Sequence, residues 1–157
     1  MHGVLVVADW SVDPYAVAAA LRRRAAGEPA AFTIVVPAWL HGLDWAGDPA
    51  VSVPCAQRQL DKLVELTTRA GLDVEAAGVG DPDVMSAIGD ALHGRDVGEV
   101  LLFERPRRFA RNPLDLVHRA RRSTGLAVRR VEARPAQAPR EQRGWALRRR
   151  AGHCAPA

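Results

Sequence analysis

The chain has 157 residues, 48% hydrophobic and 25% charged, with a formal net charge of +4. That length fits one domain, and the composition supplies a core, which excludes a chain disordered throughout. No apolar run approaches the roughly 20 residues that cross a bilayer. The first run ends at Asp9 and lacks a basic flank, unlike a secretory leader.

The charge is unevenly distributed. Residues 1–94 hold six basic and twelve acidic side chains, 95–131 hold ten and four, and 132–157 hold six and two. The tail therefore supplies the whole positive excess, and basicity is a weak argument for nucleic-acid binding by the body. Two cysteines, Cys55 and Cys154, are too few and too far apart for a disulfide framework or a metal motif. A reducing compartment fits, and the expected location is the cytoplasm, with no membrane contact.

The first predicted strand is Val4-Leu5-Val6-Val7-Ala8, a continuous apolar run suited to burial on both faces of a parallel sheet. Asp9-Trp10-Ser11 breaks it. Asp13-Pro14 opens a helix as N-cap and first helical residue, with Tyr15, Val17, Ala18, Leu21 and Ala25 at helical spacing and Gly27 as the stop. Phe32 to Val36 is the second strand, ended by Pro37. Ala38 to Ser52, with Trp39 and Trp45, reads as an irregular functional or covering loop. A helix is expected from about Pro54 to Ala70, striped by Leu60, Leu63, Val64 and Thr67.

Leu72 to Ala77 alternates apolar and polar, as an edge strand does. Gly80-Asp81-Pro82-Asp83 turns into a third helix carrying Val84, Met85, Ile88 and Leu92. Val97 to Phe103 is the fourth strand. A basic loop, Glu104 to Asn112, leads to a helix opened by Asn112-Pro113, burying Leu114, Val117 and Ala120. Leu126 to Val131 is the fifth strand. Strict alternation of strand and helix implies right-handed crossovers and a doubly wound, Rossmann-like α/β fold with a five-stranded parallel sheet. Residues 1–131 form the domain, and 132–157 read as a disordered basic tail broken by Pro135, Pro139 and Gly144.

In such a sheet ligands bind at the carboxyl ends of the strands, where strand order reverses. The loops after strands one and four should form that crevice. Val7-Ala8-Asp9-Trp10-Ser11 and Gly80-Asp81-Pro82, in this element order, resemble the universal stress protein family over roughly residues 3–131. The resemblance implies strand order 3-2-1-4-5 and homodimers joined at the fifth strand, through Leu126, Val128 and Val131. It also implies that Asp9 contacts a nucleoside, with Ser11 nearby. ATP-binding members carry a glycine-rich loop after strand four whose amides close around phosphates. No glycine stands between Gly98 and Gly125 here. Arg105, Arg107, Arg108 and Arg111 occupy that loop, and their guanidinium forks suit an anion.

The candidate ligand residues are thus Asp9, Trp10, Ser11, Val36, Arg105, Arg107, Arg108 and Arg111. Each has a plain alternative: Asp9 as a turn residue, the tryptophans as covers of the core edge, the arginines as a solvated loop. No nucleophile elbow, P-loop or dinucleotide fingerprint is present, and the histidines have no metal-ligand spacing. The expectation is a non-catalytic, universal-stress-like regulatory or interaction domain with no cofactor and no standard ATP binding. Two other readings stay open: a binder of a nucleotide or other anion through Asp9 and the loop arginines, and a nucleic-acid or acidic-partner contact through the tail.

Overall fold

Strand order and crossover geometry follow from how each strand is buried. A computed structural model describes residues 2–38, 49–104 and 115–132. Strands β1 (His2–Ala8), β2 (Ala30–Pro37), β3 (Asp73–Gly80), β4 (Val97–Phe103) and β5 (Ala127–Arg130) form one parallel sheet in the order β3-β2-β1-β4-β5. Helices α1 (Pro14–Gly27) and α2 (Pro49–Arg69) lie on one face, and α3 (Val84–Leu92) and α4 (Leu116–Thr124) on the other. The fold is the doubly wound α/β architecture that the sequence implies.

The apolar run of β1 explains the two-layer core. Val4, Val6 and Ala8 pack with Val17 and Leu21 of α1 and Leu60 and Leu63 of α2. Leu5 and Val7 pack with Ala87 and Ile88 of α3 and Ala120 of α4. Alternate residues of a central strand point to opposite faces, so burial on both requires apolar residues throughout. In β3, at the sheet edge, Asp73, Glu75 and Ala77 are exposed between half-buried neighbours, as the alternation implies.

The helix starts obey local chemistry. Asp13 caps α1, its carboxylate accepting from Tyr15 N at 2.9 Å, with Pro14 as first helical residue. Asp83 caps α3, accepting from Ser86 N at 3.0 Å, and Asp81 accepts from Asp83 N at 2.7 Å. Gly80 ends β3 because α3 packs tightly there. A Cβ on it would lie 2.7 Å from both Ala87 Cβ and Val35 Cγ1.

Several boundaries differ from the sequence reading. Helix α2 starts at Pro49, not Pro54, so the expected irregular stretch already turns helical at its end and Pro54 sits inside the helix. Two prolines each suit a first helical turn, and the earlier one takes that position. Strand β3 runs on to Gly80, which pairs in register with Pro37. Strand β5 has only four residues. Tyr15 is 57% exposed and leaves the apolar stripe of α1; its ring lies 5.6 Å from Lys62 Nζ. Cys55 is buried on α2, and Cys154 lies outside the described residues. Trp39, Trp45, Arg105, Arg107, Arg108, Arg111, the helix start at Asn112-Pro113 and the basic tail from residue 133 lie outside the described residues.

Among the described residues, no helix is long and apolar enough to cross a membrane.

Candidate functional site: the carboxyl end of β1 and β4

Strand order reverses between β1 and β4, and the chain leaving each strand is tied to the other. Asp9 N donates to Phe103 O at 2.9 Å. Asp9 Oδ1 accepts from Ser11 N at 2.9 Å, and Asp9 O accepts from Val12 N at 3.1 Å. This is a tight Asx turn, held by the carboxylate of a residue that is only 9% exposed. The turn is anchored from α2, where Gln59 donates to Val12 O at 2.8 Å. Asp9 therefore fills the turn role that the sequence left open beside a ligand role.

The other predicted residues of this end separate into two groups. Ser11 stays beside Asp9, and its Oγ is buried with no hydrogen-bond partner among the described residues. Trp10 is half-buried and packs against the core under α1 and α2, in the covering role. Val36 is fully buried in that same core and pairs in register with Val79, so its side chain is turned away from the mouth.

Acidic residues gather at the mouth. Glu104 follows β4, and its carboxylate lies 3.6 Å from Arg130 at the end of β5. Arg130 also hydrogen-bonds Asp115, the residue before α4. Asp9 and Glu104 line the same small cavity, together with Val7, Pro37, Val84 and Leu116; its volume is about 10 Å³. That is room for about one water. Asp115 and Arg130 were not singled out by sequence. The sequence places the opening of this helix at Asn112-Pro113 rather than at Asp115, and nothing in the sequence of β5 announces a pair across elements.

A second feature lies where α1 leaves part of the sheet uncovered. An open shelf of about 800 Å³ is lined by Arg23, Glu28, Glu99, Leu101, Arg129 and Glu132, among others. Glu99 is its centre: Arg24 Nε donates at 3.0 Å, and Arg129 Nη2 donates to both oxygens at 2.9 and 2.7 Å. Burial works to raise the Glu99 carboxyl, but the hydrogen bonds from Arg129 and Arg24 outweigh it and hold it below the ordinary range.

The residues named for a fifth-strand dimer are mostly inward. Val128 is fully buried and Leu126 half-buried against the α3–α4 core, whereas Val131 is half-buried against the opposite core. What β5 offers a partner is its backbone edge, with Ala127, Arg129 and Arg130 exposed.

No group of three or more His, Cys, Asp or Glu side chains able to hold a metal occurs among the described residues. A scan against protein-family models finds no match, and a search of curated proteins returns none.

Proposed function

We propose that the chain is a non-catalytic, universal-stress-like regulatory or interaction domain that forms a homodimer through the edge of β5 and does not bind Mg-ATP in the usual way. The observation that carries this reading is the mouth between β1 and β4. It is narrow, at about 10 Å³, and its described polar groups are Asp9 and Glu104 with Asp115 close by. Carboxylates repel phosphates, and the loop expected to supply phosphate-binding amides has no glycine. The position of β5 at the end of the sheet, in the order β3-β2-β1-β4-β5 among the described residues, supports pairing with a second copy.

Native mass spectrometry and isothermal titration test it. The expected result is a dimer mass, no co-purifying nucleotide, and no heat from Mg-ATP at micromolar concentration. Micromolar Mg-ATP affinity, lost in Asp9→Ala, would instead establish the nucleotide-binding reading.

A further inference from the structure

The two edges of the sheet differ. Strand β5 closes one side with four residues, two of them arginines. Strand β3 closes the other with eight. Its first half is guarded by a bulge and by charge, as edges usually are. Glu75 is an extra residue against β2, between the pairs Phe32–Val74 and Thr33–Ala76, and it is exposed together with Asp73. The second half, Ala76–Gly80, carries no charge and no proline. Gly80 O accepts from Ala38 N at 3.1 Å, so Gly80 turns its main chain toward β2. Alternation along the strand turns Gly78 the same way, and Ala77 and Val79 outward. Among the described residues nothing bonds the outward N–H and C=O groups of Ala77 and Val79. A groove of about 230 Å³ runs beside them on the face that carries α3. Its floor is Thr33, Ala76 and Gly78, and its wall is Ala87 and Ala91. A Cβ on Gly78 would meet nothing within 4 Å, so the space above the floor is open. Asp81 and Asp90 line the groove together with Arg95. With Asp73 and Glu75 they make this edge acidic.

We propose that the second half of β3 is a docking edge for an extended, basic segment of a partner protein, which adds a strand to the sheet. Its main chain pairs with the outward groups of Ala77 and Val79. Alternate side chains of an added strand face the same side. Every second one therefore enters the groove, where small apolar groups fit against Ala76 and Gly78. Arginine or lysine side chains flanking them meet Asp81 and Asp90 at the groove, and Asp73 and Glu75 further along the strand. Main-chain hydrogen bonds supply the affinity in this mode of recognition, and the groove and the charges select the sequence. This edge lies at the opposite end of the sheet from β5. Docking here goes beyond the dimer reading and does not depend on it.

The test uses the full chain and a fluorescent hexapeptide of alternating valine and arginine. Anisotropy is expected to show saturable binding that weakens with salt. On saturation, amide exchange is expected to slow at Ala77 and Val79 and to stay unchanged at Val128 and Arg129. Ala77→Pro removes an outward donor without touching a bond to β2, so the fold is kept and binding is expected to weaken about tenfold. Gly78→Leu leaves the edge donors and fills the groove, and is also expected to lose most of the binding. Val128→Pro is expected to bind as the wild type does, so this proposal and the β5 dimer fail separately. Binding that Ala77→Pro and Gly78→Leu both leave unchanged is attraction by charge alone and overturns the proposal. So does the absence of saturable binding below about 1 mM, or protection at β5 in place of β3. Self-association of the chain that Ala77→Pro abolishes assigns the edge to a second copy and overturns it as well.

Discussion

Arg121 on α4 holds the main-chain carbonyl of Val128 in β5 from two donors, Nε at 2.9 Å and Nη2 at 2.6 Å. Successive residues of a parallel strand turn their amide groups alternately toward and away from the neighbour. Val131 N bonds β4, so Val128, three residues earlier, presents its carbonyl to the open edge. The side chain of α4 thus wraps around the last strand and occupies an acceptor that a pairing strand would use. A strand that ends a sheet presents main-chain donors and acceptors along its outer edge, and here one acceptor is taken. A charged side chain clasping an edge is a way to discourage unplanned strand addition.

The proposed dimer therefore has to replace the Arg121 contact, which gives an assembly prediction of defined sign. Arg121→Ala frees the Val128 carbonyl and should raise the dimer fraction at fixed concentration. Val128→Pro removes a main-chain donor from the edge strand and should give a monomer. Sedimentation velocity reads both. A wild-type protein that is monomeric at high micromolar concentration overturns edge pairing.

Gly80 sets how closely α3 approaches the sheet. Gly80→Ala puts a methyl 2.7 Å from Ala87 and Val35 side-chain atoms, so α3 must shift outward. Overpacking of this kind costs about 1–3 kcal/mol. The cost should appear as a lower urea midpoint with an unchanged slope. Gly78→Ala is the control, because its Cβ would meet nothing within 4 Å.

Much of the architecture was legible because its causes are local. The unbroken run Val4–Ala8 requires a central strand buried on both faces, and it is one. Asp13-Pro14 and Asp83 are caps whose chemistry acts within three residues, and both caps form. Boundaries failed where two signals competed, as with Pro49 and Pro54 at the start of α2. The site was less legible because its partners lie far apart in sequence. Glu99 meets Arg24 across 75 positions and Arg129 across 30. Arg130 reads as a generic edge charge until β5 brings it to Glu104 and Asp115. Val36, named among the ligand residues, is turned into the core by the parity of β2.

Asp9 offers a test of turn against ligand role. Asp9→Ala deletes the acceptor of Ser11 N and should destabilise the domain by about 1 kcal/mol, the net worth of one such hydrogen bond. Asp9→Asn keeps an acceptor oxygen and should recover most of that stability. Thermal melts of the three proteins measure it. If Asp9→Ala melts at the wild-type temperature, the turn is held by other contacts and the ligand role regains weight.

The last prediction concerns acid. Glu99 joins α1 to β5 through Arg24 and Arg129, and those hydrogen bonds hold its folded carboxyl below the ordinary value of 4.5. A carboxyl depressed by folding contributes stability that is fully present above its unfolded value. That contribution disappears as pH falls through the lower, folded value, because the proton then binds a group whose charge the arginines need. The contribution of Glu99, measured by urea unfolding, should therefore be constant with pH near neutrality and decline below about 4.5. Glu99→Gln removes the titrating charge but keeps one acceptor, so it should lower stability at pH 7 and flatten the acid decline. Both arginines would lose their shared anion at once, which makes the effect larger than for Arg24→Gln or Arg129→Gln alone. An acid decline of equal steepness in wild type and Glu99→Gln would show that other carboxylates govern it and that the Arg24–Glu99–Arg129 bridge adds little.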